Sequence, residues 1–500
     1  MFLYKFNKNS YLYKFKARLV VRGDLQHKYR DTYAATLAAR VFRLLIAIAA
    51  AFGLQAYQYN VLNAFLNAEL GQQVYVQTLE AFVKEIGELL ELKRALYGLK
   101  DAPLLWYEHL KKTLTGLGLR PIKDVPCLFT SNQLIVFFYV DDIVVLVHPQ
   151  YADYHSRFER QLTETYDIRC LGDLKWFLGV RVIRDWTAGA IWLLQDSFID
   201  KVAAKFDLTQ ATGRYPPVPL VENYLQTSPD EPDAKRTHTY QQLVGSLAYI
   251  STFTRPDVAR AHSVLARHLQ NPGQKHMSAA RHVWRYLVGS KYLAINASRR
   301  TRDNTTYVSQ ADSQIGTESI FYGASDAAFA DDEATRQSSY GYLFKLYGMC
   351  IDWKATRQRC VTKSTTKAEL VALSAAGGEM EWWNRVFSHI QFSPDIRPVI
   401  YCDNEQTVGI VTKRDDRLHT KLRHVDTHQM WLRQEVQANR LQVMWCPTTE
   451  MLADGLTKTL PRQRHDRFIK QLGLKDVQSY VTGLTQTKHG PEPADLAGWY

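Results

Sequence analysis

The run Phe137-Phe138-Tyr139-Val140-Asp141-Asp142-Ile143-Val144-Val145-Leu146-Val147 constrains the fold more than any other stretch. Its β-branched and aromatic residues read as two short buried strands, yet two neighbouring carboxylates interrupt them. Like charges side by side in an apolar setting are unfavourable unless a cation or hydrogen-bond donors compensate them. If Asp141 and Asp142 form the turn of a tight hairpin, rigid strands hold both carboxylates where one or two divalent ions can bridge them, an arrangement suited to phosphoryl transfer. A water-facing Asp-Asp turn is the plainer reading of the same residues, because Asp is common in turns.

Further boxes flank this stretch in a set order. Upstream stand Lys16-Ala17-Arg18-Leu19-Val20-Val21-Arg22-Gly23, Asn63-Ala64-Phe65-Leu66-Asn67 and Ala95-Leu96-Tyr97-Gly98-Leu99-Lys100-Asp101-Ala102-Pro103. Downstream come Leu171-Gly172-Asp173-Leu174-Lys175-Trp176-Phe177-Leu178-Gly179, Gly245-Ser246-Leu247-Ala248-Tyr249 and Thr254-Arg255-Pro256-Asp257. With Tyr139-Val140-Asp141-Asp142 the series resembles the reverse transcriptases of copia-type LTR retrotransposons, cut from a Pol polyprotein with an RNase H domain behind the polymerase. The resemblance spans nearly the whole chain and fails only in the last few tens of residues. It implies an α/β architecture: a right-hand polymerase with an α+β palm, fingers and thumb, then a helical connection and an RNase H-like mixed-sheet domain. It also implies Mg²⁺, two ions per site, with Mn²⁺ as an alternative. The partners it implies are an RNA template, a DNA primer, an RNA–DNA hybrid and dNTPs.

Polymerases of this class use a third carboxylate from an earlier strand, in a box reading Asp-Val-x-x-Ala-Phe-Leu. Here that box reads Asn60-Val61-Leu62-Asn63-Ala64-Phe65-Leu66, so Asn60 stands where the Asp is expected. Phe65 matches the position that screens the sugar 2′-OH, and Lys100 and Asp101 fall in the nucleotide-binding box, with Asp101 replacing a usual Gln. Leu104 replaces a frequent Arg, Ala39 a usual Pro, and the Pro and Gly expected near Thr78 to Phe82 are missing. Family members normally have several tens of residues before the Lys16 box, so the fingers read as truncated. Together these departures imply an impaired polymerase.

Four acidic residues occupy separate boxes further on: Asp326 in Ala324-Ser325-Asp326-Ala327, Glu369 in Thr366-Lys367-Ala368-Glu369-Leu370, Asp403 in Tyr401-Cys402-Asp403-Asn404, and Asp454 in Leu452-Ala453-Asp454-Gly455. Singly, each is as well explained by a solvated surface carboxylate. In this order they resemble the RNase H domain of the same family, which implies Asp326 on a first strand, Glu369 on a helix, Asp403 ending a later strand and Asp454 opening a final helix. Four such carboxylates can hold two divalent ions roughly 3.5–4 Å apart for hydrolysis without a covalent intermediate. His424 and His428 are spaced to share a helix face, but no third ligand stands at an established zinc spacing. Contact with a nucleic-acid backbone is the expected role of Lys421-Leu422-Arg423-His424.

Lys plus Arg outnumber Asp plus Glu by 62 to 50, a net charge of +12 over 500 residues that favours a polyanionic partner. Cys127, Cys170, Cys350, Cys360, Cys402 and Cys446 show no CxxC pairing, which excludes a zinc ribbon or disulfide scaffold and fits a reducing, intracellular compartment. Lysines interrupt the first residues too often for a signal peptide, and no apolar stretch is long enough to span a membrane. Helical spacing is expected over 41–52, 104–117, 153–166, 196–208 and much of 240–292, with a strand at 74–77 entering the palm. Proline-rich residues 216–219 and polar residues 298–318 read as linkers. The expected division is therefore a reverse transcriptase over 1–215, a connection over 216–319, an RNase H-like domain over 320–462 and a tail over 463–500. An active enzyme, a binding relic retaining hydrolysis at most, and an unrelated two-metal nuclease are the competing functions; the last leaves Tyr139 to Asp142 unexplained.

Overall fold

The computed structural model describes residues 2–6, 12–17, 19–26, 32–78, 88–209, 213–222, 225–229, 231–298, 320–394, 397–413 and 427–486. Two compact units emerge: Met1–Leu37 with Leu54–Leu174, and Ala38–Gly53 with Lys175–Tyr500.

In the first unit, β1 (Phe2–Phe6) and β2 (Leu12–Ala17) pair as an antiparallel hairpin. β3 (Gln55–Val61) enters the main sheet, whereas β4 (Tyr75–Gln77) and β5 (Leu89–Glu91) form a separate two-stranded ribbon. The strand expected at 74–77 therefore pairs outside the palm sheet. β6 (Arg120–Ile122), β7 (Val125–Thr130), β8 (Leu134–Tyr139), β9 (Asp142–Val147) and β10 (Ile168–Asp173) complete an antiparallel sheet of order β10-β3-β9-β8-β7-β6. The apolar run that the two Asp residues interrupt thus occupies central strands. The helix Ala102–Gly116 starts with Pro103 in its first turn and buries Trp106, Leu110 and Leu114, one stripe at helical spacing.

The second unit begins with the helix Ala39–Ala51, buried from Val41 through Ala51 and hence an interior helix. β11 (Trp176–Phe177), β12 (Val180–Asp185), β13 (Ala190–Leu194) and β14 (Leu293–Ser298) follow, with the helices Asp196–Lys205, Ala234–Phe253, Ala259–Leu265 and Gln274–Gly289. Tyr240, Leu243, Leu247, Val264, Trp284 and Leu287 form the core of this helical part. β15 (Phe321–Ala328), β16 (Ser339–Leu346), β17 (Met349–Arg357), β18 (Val399–Cys402) and β19 (Gln442–Trp445) make a sheet of order β17-β16-β15-β18-β19. Its first three strands pair antiparallel, and β18 joins β15 and β19 in parallel. This is a mixed sheet, packed against the long helix Thr365–His389. The final strand, β20 (Leu474–Asp476), pairs with β14.

The compact units do not follow the division expected from the sequence. The segment Leu171 to Gly179, placed within the expected polymerase over 1–215, is split: β10 closes the main sheet of the first unit against β3, and β11 opens the next unit. Residues 175–298 share a compact unit with 320–486. Residues 463–486 are no tail; they supply the helix Arg462–Gln471, β20 and the helix Gln478–Gln486. The linker expected at 298–318 lies almost wholly outside the described residues, and Lys421 to His424 lie outside them too.

Helix Ala39–Ala51 belongs to the second unit through Arg43, which is 3% exposed. Its Nε donates to Ile351 O at 2.7 Å, its Nη1 to Thr252 O and Phe253 O at 2.6 and 3.0 Å, and its guanidinium lies 3.8 Å from the Trp353 ring centroid. Arg40 adds ion pairs to Glu379 at 2.5 Å and Asp352 at 3.4 Å. A buried cation is tolerated only where acceptors surround it, and this one is surrounded by carbonyls. Among the described residues, no helix is long and apolar enough to cross a membrane.

Candidate active sites

In the first unit, Tyr139 and Asp142 pair across β8 and β9, leaving Val140 and Asp141 as a two-residue turn. Val140 has φ +56°, an unusual conformation for a β-branched residue. Two hydrogen bonds pin it there: Trp106 Nε1 donates to Val140 O at 2.7 Å, and Val61 N donates to Asp141 O at 2.9 Å. On the neighbouring strand Asn60 faces Asp142, and its Nδ2 donates to Asp141 Oδ2 at 3.1 Å and to Asp142 Oδ1 at 3.2 Å. Burial pushes the Asp142 carboxyl up to about 6, the Asp141 charge adds to this, and the Asn60 hydrogen bond opposes it. Asn60, Asp141 and Asp142 therefore converge, with Asn60 acting as a donor to both acids.

Phe65, Lys100 and Asp101 belong to an adjoining neighbourhood of the same unit. Phe65 sits on the turn Ala64–Asn67, entered through Asn63 at φ +50°, with its ring 4.8 Å from that of Tyr97. Lys100 is exposed and its Nζ donates to Gln26 O at 2.6 Å. Asp101 is buried at the start of the helix Ala102–Gly116, and its carbonyl accepts from Leu105 N. Two glycines hold this region together: a Cβ on Gly98 would lie 2.0 Å from Val21 O, and one on Gly23 would lie 1.8 Å from Gly98 O. Only glycine permits backbones to cross so closely.

In the second unit, Asp326 lies within β15, Glu369 in the first turns of the helix Thr365–His389, Asp403 just after β18 and Asp454 at the start of the helix Asp454–Thr457. Ser364 caps the Glu369 helix by accepting from Lys367 N. Asn404 caps the next helix by accepting from Thr407 N, while Trp445 Nε1 donates to Asp403 O, so the strand end that carries Asp403 is held on both sides. Gly341 faces Asp326 across β16, and a Cβ there would lie 2.6 Å from Leu456 Cβ. Its missing side chain lets the Asp454 helix seat directly on the sheet.

Glu369, Cys402 and Asp403 bring ligating atoms within 4.8 Å of one another. Cys402 escaped the sequence reading, though its place next to Asp403 was the available signal; burial raises its thiol pKa, which keeps it protonated and a poor ligand. Asp326 is 1% exposed, and burial pushes its carboxyl up to about 6, with Asp403 and Asp454 adding while Lys458 and the Thr457 hydroxyl oppose. Burial, then Asp326 and Asp403, push the Glu369 carboxyl up to about 9. Glu369 Oε2 is buried without a hydrogen-bond partner. Asp454 is tied to Lys458 at 2.7 Å and to Arg464, and lines a cavity of about 350 Å³ with Arg464, Arg467, Thr448 and Thr449. Asp326 and Glu369, buried carboxyls that resist ionisation, the latter with Oε2 unpartnered, fit together with Asp403 a divalent cation such as Mg²⁺ or Mn²⁺.

Residues 1–220 match the family model for reverse transcriptase, the RNA-dependent DNA polymerase. By this match residues 1–220 are similar to reverse transcriptases. The chain as a whole is 29% identical over 478 residues to the Pol polyprotein of transposon TNT 1-94 from Nicotiana tabacum, covering 93% of this chain and 34% of that protein. It is 27% identical to the Pol polyprotein of transposon RE1 from Arabidopsis thaliana, covering 95% of this chain and 31% of that protein. The chain thus spans about a third of the length of the curated relatives it matches. A foamy viral protease–reverse transcriptase, solved with double-stranded DNA, aligns at 14% identity with a TM-score of 0.46, covering 86% of this chain and 63% of that one. Asn60 lies on the strand next to the Asp141–Asp142 hairpin, inside the matched region, and the second acidic cluster lies beyond it.

Proposed function

We propose that this copia-type reverse transcriptase chain hydrolyses the RNA strand of an RNA–DNA hybrid at Asp326, Glu369, Asp403 and Asp454, and that its polymerase site is impaired by Asn60. The observation that carries the first part is that Glu369, with its Oε2 buried and unpartnered, lies with ligating atoms of Asp403 and Cys402 within 4.8 Å and has its carboxyl pushed up by Asp326 and Asp403, acids that come from separate elements. Two divalent ions would activate a water and stabilise the leaving 3′ oxygen. Glu369 and Asp403 would hold one ion, and Asp326 and Asp454 the other. The Thr457 hydroxyl, donating to Asp326, keeps that carboxylate oriented. Purified chain incubated with a labelled hybrid and Mg²⁺ should release RNA fragments, and Asp403→Ala should cut the rate by about 10²-fold or more. Equal rates with and without the substitution would remove Asp403 from the site.

The second part rests on the Asn60 amide. Its NH₂ group points at both acids, so the strand offers hydrogen-bond donors where a metal needs a charged oxygen. RNA template, DNA primer and dNTPs are the substrates that the palm would engage, with Phe65 screening the sugar and Lys100 and Asp101 lining the nucleotide side. A chain with hydrolysis retained and polymerisation lost is the form of this reading that the two sites support best.

A further inference from the structure

The second acidic cluster is divided by its partners. Lys458 Nζ lies 2.7 Å from Asp454 Oδ1 and 3.6 Å from Asp326 Oδ2, so one ammonium bridges two of the four carboxylates. Arg464 engages the other Asp454 oxygen, and the Thr457 hydroxyl also engages Asp326 Oδ2. On the opposite side, Glu369 Oε2 is buried without a partner, within 4.8 Å of the ligating atoms of Cys402 and Asp403. One half of the cluster already holds a cation of the chain's own; the other half holds none among the described residues.

We propose that Lys458 is a resident competitor for one of the two cation positions: the resting protein takes a single divalent ion at Glu369 and Asp403, and a second ion enters between Asp326 and Asp454 only when the Lys458 ammonium leaves. This rests on the reading of the cluster as a two-ion centre. A Lys side chain suits the task because its charge sits on a flexible stem and can swing out without moving the backbone. Its side chain is 37% exposed, so the way out is open. Strong negative charge on an arriving phosphate would draw the ammonium away from the acids, which ties loading of the second ion to the arrival of nucleic acid.

The test is Mn²⁺ binding to the full chain followed by electron paramagnetic resonance, without nucleic acid. An Asp141→Asn, Asp142→Asn background silences the palm acids. In that background the chain with Lys458 should bind one Mn²⁺ tightly. Lys458→Met should add a second ion or tighten binding by about tenfold, the effect of removing a like charge next to a cation site. Lys458→Arg should behave as the parent. Two tight ions with Lys458 in place, or a Lys458→Met chain of unchanged near-UV circular dichroism that binds no better, would overturn the proposal. The parent measurement decides even if Lys458→Met fails to fold. Glu369→Gln separates the two ideas: if it leaves tight binding intact, the metal-centre reading fails, whatever Lys458 does.

Discussion

Asn60 and Asp142 face each other across β3 and β9, and the Asn60 amide donates to Asp142 Oδ1 at 3.2 Å while reaching Asp141 Oδ2 at 3.1 Å. The hydrogen bonds satisfy two crowded acids without a metal, and they make the strand a donor where phosphoryl transfer requires an anionic ligand.

Asn60→Asp is therefore expected to raise primer extension on an RNA template by about 10²-fold or more, the scale of one preorganised electrostatic contributor. Without metal, the same change adds a third like charge beside a carboxyl already raised to about 6, so the metal-free melting temperature should fall. Extension assays and thermal melts with and without Mg²⁺ check both halves. Robust extension by the unaltered chain would show that Asn60 does not limit the site.

The acidic cluster of the second unit should make the metal-free protein less stable at high pH. Glu369 and Asp326 have folded-state values of about 9 and about 6, above those of free carboxyls, so the native state binds their protons more tightly than the unfolded chain does. Their contribution is fully present below about pH 4 and is lost as pH rises through about 6 for Asp326 and about 9 for Glu369. At pH 8 without metal, Glu369→Gln should melt higher than the parent by roughly 4 °C or more. The gap should close towards pH 5, and Mg²⁺ should raise the parent more than the variant. A variant that melts lower at pH 8 would mean that the Glu369 carboxyl is not under this strain.

Arg43 is expected to be essential to the second unit. Arg43→Leu keeps bulk but strands the carbonyls of Ile351, Thr252 and Phe253 in a dry interior, at about 1–3 kcal/mol for each unsatisfied group. A loss of about 3 kcal/mol or more should appear as a lower urea midpoint with an unchanged slope. Burial lowers the Arg43 pKa to about 10, still above neutral pH, so the interaction persists under ordinary conditions. A chain lacking residues 1–53 should lose cooperative unfolding, because helix Ala39–Ala51 goes with them.

Arg255 and Asp257, 1% and 2% exposed, form a bidentate pair at 2.9 and 2.7 Å, and Tyr286 donates to Asp257 Oδ2 at 2.7 Å. Since the Tyr286 hydroxyl has one proton, His465 Nε2, 2.9 Å away, must donate to it. Asp257→Ala leaves a guanidinium buried without its counter-charge and should cost about 3–5 kcal/mol in denaturant unfolding. Tyr286→Phe, which removes only hydrogen bonds, should cost about 1 kcal/mol. Similar losses for both would show that the ion pair contributes little.

The hairpin at Tyr139 to Asp142, the stripe Trp106, Leu110 and Leu114, and the strand and helix settings of Asp326, Glu369, Asp403 and Asp454 were all legible in the sequence. Each depends on local periodicity, turn chemistry or the order of short boxes, which a chain displays without folding. Periodicity tells which face of an element is buried, but not what covers it. Arg43 and Ile351 meet across 308 positions, and no local signal in the helix Ala39–Ala51 announces that it joins the second unit. β20, read as part of a tail, has only three residues and is a strand because β14 offers it an edge. The division of the acidic cluster between Lys458 and a Glu369 whose Oε2 has no hydrogen-bond partner is likewise decided in three dimensions, since charge balance there depends on distances that spacing along the chain does not determine.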